Sequence, residues 1–150
     1  MENKPISDIC SEHLYQSSKD EILALIKNKK FVEAMSLMEA LIKDHGNDEQ
    51  ISHLTAHVVF LVVLNDGQVS IDILNYLLKT TYKNFFDSYL GAYMVGIMLM
   101  KKTNIKEQTI KDFGERAFNM SPNLFKKIIN KVKPKNNQLY TFFKEMLNGN

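Results

Sequence analysis

Cysteine is almost missing from this chain, which has only Cys10. An intramolecular disulfide is therefore excluded, and so is a zinc site built from cysteines. A lone thiol suits a reducing compartment. Tryptophan is absent, and 150 residues hold only three prolines and six glycines. Both residue types disrupt helix interiors, so their scarcity leaves room for long helices. The glycines (Gly46, Gly67, Gly91, Gly96, Gly114 and Gly149) are scattered, so no glycine-rich phosphate loop exists. The longest apolar run, Val58 to Leu64, falls far short of the roughly 20 residues that span a bilayer. Met1 to Asp8 is polar and lacks the apolar core of a signal peptide. The cytoplasm is the expected location. Neither sign of charge dominates: the formal net charge is +2, too small by itself to imply nucleic acid or a membrane surface.

What is present is an ordinary folding composition, 45% hydrophobic and 24% charged, enough for a buried core in a single domain over 1–150. The apolar spacing is helical. Phe31, Ala34, Met35, Leu37, Met38, Leu41 and Ile42 follow the three-and-four rhythm of one helix face, and Gly46 is a plausible stop. Ser18 with Glu21, and Asn104 with Glu107, have capping-box spacing. Ser121-Pro122 reads as an N-cap followed by proline at the first helical position. Helices are expected at about 7–16, from Ser18 through Ile26, and near 31–45, 48–64, 70–82, 86–102, 105–119, 121–132 and 137–148. The β-branched run from Val58 could also be a buried strand. Helix is preferred because Ile51, Leu54, His57/Val58 and Leu61 keep the period and no partner strand is evident. The 86–102 segment is apolar nearly all round, which predicts a central helix.

Helices of this length joined by short turns make antiparallel hairpins. Residues 22–45 and 88–123 look alike. The first has a turn at Asn28-Lys29-Lys30, then Ala34 and Leu41. The second has Ile110, Gly114 and Ala117, ending in Asn119-Met120-Ser121-Pro122-Asn123. This arrangement resembles a degenerate tetratricopeptide-repeat pattern, in which small residues recur along the second helix and a proline follows it. Ala34 and Leu41 fall at the two small positions of one hairpin; Ala117 and Pro122 match the later two positions of the other. The resemblance implies a short stack of hairpins whose groove holds a partner's segment, as in small chaperones and adaptors. A compact bundle around the 86–102 helix is the alternative architecture.

Candidate chemistry is sparse. His53 and His57 are four apart, as a zinc pair on one helix face requires, but the intervening Leu54-Thr55-Ala56 lacks a general-base glutamate. His45 or Asp48 would have to complete the set. Cys10 and His13 could face one another, yet nothing nearby supplies an orienting group or an oxyanion pocket. No cofactor, metal or catalytic residue is implied, and the chain reads as a non-enzyme. Two features remain for binding. Tyr89, Tyr93, Met94 and Met98 could line an adaptable apolar groove, which would show as an exposed apolar patch. Lys126, Lys127, Lys131, Lys133 and Lys135 follow one another with no acid between Glu115 and Glu145. Phe125, Tyr140 and Phe142 stand near enough to offer stacking to single-stranded nucleic acid. Lysine neutralises phosphate but reads bases poorly, so a protein or peptide partner is the expectation and nucleic acid the lesser reading. A homo-oligomer is compatible with either. A third reading is a viral or effector helical bundle that sequesters host factors, given the lysine-, asparagine- and isoleucine-rich usage.

Overall fold

Helical periodicity becomes helix throughout the described chain, including the β-branched run. The computed structural model describes residues 12–81, 87–101, 105–135 and 137–149. Cys10, Asn104 and the first residues of the expected opening helix lie outside them. The helices are α1 (Glu12–Lys27), α2 (Phe31–His45), α3 (Glu49–Leu64), α4 (Ile71–Lys79), α5 (Ser88–Met100), α6 (Glu107–Met120), α7 (Pro122–Ile129) and α8 (Asn137–Gly149). No strand occurs among the described residues, and none of these helices is long and apolar enough to cross a membrane. Contacts gather the chain into two compact units, Met1–Leu77 and Leu78–Asn150.

In the first unit, α1 and α2 form a hairpin and α3 packs on both. The core includes Ile22, Ala34, Met38, Ile51, Val58 and Phe60. Ser18 opens no helix: α1 starts at Glu12 and runs through it, because the turn before it is already helical and leaves no free N–H groups to cap. The α1–α2 turn places Lys29 at φ 60°, a left-handed conformation that costs a side chain roughly 1 kcal/mol. Gly46 ends α2 at φ −63°, in the right-handed region, so it does not act as a left-handed stop. Asp48 begins α3 instead, its carboxylate accepting from the Gln50 N–H at 2.9 Å. Within α3, the Thr55 hydroxyl donates to the Ile51 carbonyl at 2.6 Å, so even this buried polar side chain is spent on its own helix.

After α3, Asp66 takes the left-handed position at φ 63°. Gly67 serves close approach: a Cβ there would lie 2.6 Å from Val62 Cγ1 and 3.2 Å from the Phe31 ring. The α4 helix is tied down by a polar chain. The Ser52 hydroxyl meets Tyr76 Oη at 2.9 Å, and Tyr76 Oη donates to the Gly46 carbonyl at 2.9 Å. Since the tyrosine's proton is committed to Gly46, Ser52 is the donor of the first bond. Burial pushes the Tyr76 hydroxyl above its ordinary pKa; Asp48 adds to the rise, while the Ser52 bond opposes it.

In the second unit α5 is central. Ten of its 13 residues, Leu90 to Ala92 and Met94 to Met100, are buried, with α6 and α7 packed against it. Asp87 caps it, accepting from the Leu90 N–H at 2.8 Å. Glu107 is the first residue of α6, preceded by Lys106 with no side-chain cap bond, so it does not take the third helical position a capping box needs. Ser121 alone separates α6 from α7, and Pro122 opens α7 as expected, without a Ser121 side-chain bond. Helix α7 stops at Ile129, three residues short of the expected 132. The Lys131 and Val132 N–H groups close tight turns onto Ile128 and Ile129, and Pro134 disfavours helix at the residue before it.

Candidate functional site

Helix α6 buries Ile110, Phe113 and Ala117, and α8 buries Leu139 and Phe143. Between them sits Gly114. A Cβ on Gly114 would collide with the Phe143 ring, so glycine is what allows α6 and α8 to touch. Here glycine's usual helix penalty of about 1 kcal/mol is outweighed by closeness. The two helices run in the same direction, since the starts of both line one space and their ends line another.

The result is a groove in two stretches on either side of the contact. The first, about 540 Å³, is walled by Glu107 and Lys111 of α6 and by Asn137, Gln138, Leu139 and Thr141 of α8. The second, about 470 Å³, is walled by Glu115, Phe118 and Asn119 of α6 and by Phe142, Glu145 and Met146 of α8. Phe118, Phe142 and Met146 are half-buried, whereas Glu107, Glu115 and Glu145 are exposed. The second stretch therefore has an apolar floor and an acidic rim, whereas the first is lined mostly by polar side chains with one carboxylate, Glu107, and one cation, Lys111.

An aromatic chain stiffens that floor. Phe118 meets Phe125 edge-on with centroids 6.1 Å apart, Phe125 meets Phe143 at 5.6 Å, and Phe143 meets Phe142 at 5.2 Å. Edge-to-face pairs of this kind are favourable beyond their buried area. Lys111 Nζ stands 4.6 Å from the Phe142 ring centroid, a cation–π distance. It is the one cation among the charged groups lining the two stretches.

The lysine run is open to solvent. Lys126, Lys127, Lys131, Lys133 and Lys135 are all exposed. Lys127 and Lys131 do not share a helix face, because α7 has ended before 131. The segment is anchored by the Lys135 N–H, which donates to the Leu99 carbonyl at 3.0 Å, and by Lys144, whose ammonium donates to Asn130 Oδ1 at 2.7 Å. Of the aromatic residues expected to stack a base beside these lysines, Phe125 is fully buried, and Tyr140 and Phe142 are half-buried. Phe125 cannot stack on a base.

The four residues expected to line an apolar groove on α5 divide. Met94 and Met98 are each 2% exposed, inside the core, because a helix apolar on every side is packed on every side. Tyr89 and Tyr93 are half-buried and pack edge-on at 4.8 Å. Exposed large apolar side chains among the described residues are Leu14, Val32, Ile71 and Met120. His53 and His57 are half-buried on α3, and His45 is buried at the end of α2. No group of three or more His, Cys, Asp or Glu among the described residues is arranged to hold a metal.

The α6–α8 groove was not foreseen from the sequence. Its one local signal is Gly114 inside a helical pattern, a known sign of close packing. Comparison with family models, with curated proteins and with solved structures finds no match for the chain.

Proposed function

We propose that the chain is a non-catalytic interaction module that holds a segment of a partner protein in the groove between α6 and α8. The observation that supports it most is the pair of spaces, about 540 and 470 Å³, along two parallel helices on either side of their contact. Half-buried Phe118, Phe142 and Met146 offer apolar contact there. Aromatic and methionine side chains are enriched at such contacts. The tetratricopeptide-like placement of Ala117 and Pro122 is compatible with this reading, and that resemblance implies a chaperone or adaptor role.

Selection of a random dodecapeptide library on the full chain tests it. Recovered peptides should bind the native protein and lose at least tenfold in affinity for a Phe142→Ala variant whose circular dichroism is native. Charge reversal at exposed Glu115 serves as a second groove variant that leaves the core untouched. Recovery of no groove-dependent peptide sinks the proposal.

A second reading rests on the five exposed lysines. They could neutralise phosphates of a single-stranded nucleic acid, and binding would then weaken steeply with salt. An oligonucleotide titration that shows no salt dependence removes it.

A further inference from the structure

Charge is divided unevenly between the two units. Residues 1–77 hold six Lys and Arg against twelve Asp and Glu, whereas residues 78–150 hold thirteen against five. We propose that the strap from Lys126 to Lys135, with Lys144 beside it, binds the phosphate backbone of double-stranded nucleic acid without reading base sequence. The inference rests on the same lysines as the second reading above and differs from it in the strand that is bound.

The strap is a built surface. After α7 ends, residues 132–134 belong to no helix. Lys131, Lys133 and Lys135 are exposed, with Val132 buried and Pro134 half-buried between them. Side chains alternate in this way along an extended segment, so the three lysines share the outer side. Successive ones stand at most roughly 7 Å apart along the backbone. Both ends of the strap are held. The Lys135 N–H donates to the Leu99 carbonyl near the end of α5, and the Lys144 ammonium donates to Asn130 Oδ1 at 2.7 Å. The second bond brings a lysine of α8 to the start of the strap, next to Lys126 and Lys127 in the last turn of α7. A segment already pinned has less order to gain when it binds.

Composition then selects the partner. Every cation of the strap is a lysine, a compact charge suited to single phosphate oxygens, whereas arginine is the better fork for carboxylates. Protein–protein interfaces favour aromatic residues and arginine and are depleted in lysine. Leu124, Phe125, Ile128, Ile129 and Val132 are buried or half-buried. The strap therefore offers no apolar wedge, the second signal that stable attachment to a lipid surface needs. Single-strand binders stack bases on aromatic rings. Here Phe125 is fully buried and Lys111 stands over the Phe142 ring. A duplex needs no stacking and carries one charge per roughly 1.7 Å of axis, twice the density of either strand.

Fluorescence anisotropy on the full chain tests the inference with a labelled duplex of about 20 base pairs, a duplex of scrambled sequence and one separated strand. The two duplexes should bind alike, and about tenfold more tightly than the strand at equal nucleotide concentration. Five lysine–phosphate contacts predict a slope of log affinity against log salt of about −4.5, roughly 500-fold between 50 and 200 mM. Replacing Lys131, Lys133 and Lys135 together by Gln should weaken duplex binding at least tenfold and lower the slope by about 3, with native circular dichroism. Replacing Lys27, Lys30 and Lys43 by Gln removes the same charge from the first unit and should leave binding within about twofold. Equal losses in both triple variants would show that net charge acts and not the strap, and overturn the inference. Strand binding as tight as duplex binding overturns it and leaves the single-strand reading standing. Salt-independent binding, or none to either form, removes both. Polyglutamate or phosphatidylserine vesicles that compete as well as unlabelled duplex at equal charge assign the strap to another partner and overturn it.

Discussion

The two units solve the same packing problem by different means. In the first, polar bonds locate the helices: Tyr76 bridges α4 to the Gly46 carbonyl and to Ser52 at the start of α3. In the second, shape does so: Gly114 admits the Phe143 ring, and four phenylalanines lock α6, α7 and α8 edge to face. Polar bridges demand a particular partner atom, so they resist register errors but add little net stability each. Ring packing contributes more per residue and fails more steeply when volume changes. The two spaces between α6 and α8 border these ring-packed helices.

That contrast can be broken most strongly at Phe143, which is fully buried. Phe143→Ala should cost about 3–5 kcal/mol, seen as a large fall in melting temperature and lost amide protection in α6 and α8. Gly114→Ala comes next. Helix propensity alone predicts a gain of up to about 1 kcal/mol, but the collision with Phe143 should reverse the sign to a loss of about 1–3 kcal/mol. In a Phe143→Leu background the loss should shrink, and a double-mutant cycle that finds the two sites additive would refute the contact.

Tyr76→Phe should cost the first unit about 1–2 kcal/mol, since the Gly46 carbonyl loses its donor. The same residue gives a pH signature. Its folded-state pKa is raised above the ordinary value of about 10, so its proton is held more tightly folded than unfolded. The contribution is complete below pH 10 and declines as pH rises above it. Alkaline titration of stability should show that decline in the native chain and a smaller one in Tyr76→Phe. The smallest effect is expected at the α1–α2 turn. Lys29→Gly relieves a left-handed side chain and should stabilise by up to about 1 kcal/mol, partly offset by glycine's unfolded-state entropy.

Helix type and order were legible because burying one stripe of a helix needs apolar residues at a fixed period, which each segment displays. Even the Val58–Leu64 run kept that period, and its strand alternative had no partner. Helix ends were less legible. Ser18 has the chemistry of a cap, but whether a cap is used depends on whether the preceding residues are helical, and α1 had already begun at Glu12. The binding candidates divided along the same line. Exposure of Lys126 to Lys135 follows from their charge, since lysine is seldom buried. The interior place of Met94 and Met98 follows from α5 being apolar on every side.

The sequence by itself determined an all-helical chain with a central apolar α5, because periodicity and the scarcity of helix breakers act within about 15 residues. Only tertiary structure decided that α6 and α8 lie side by side, that Gly114 is the point where they touch, and that Glu107 lines the space on one side of that contact and Glu115 and Glu145 the space on the other. Those residues stand up to 38 positions apart. No local pattern encodes which two helices, separated by a third, become neighbours; that is settled by which faces remain to be covered once α5, α6 and α7 have packed.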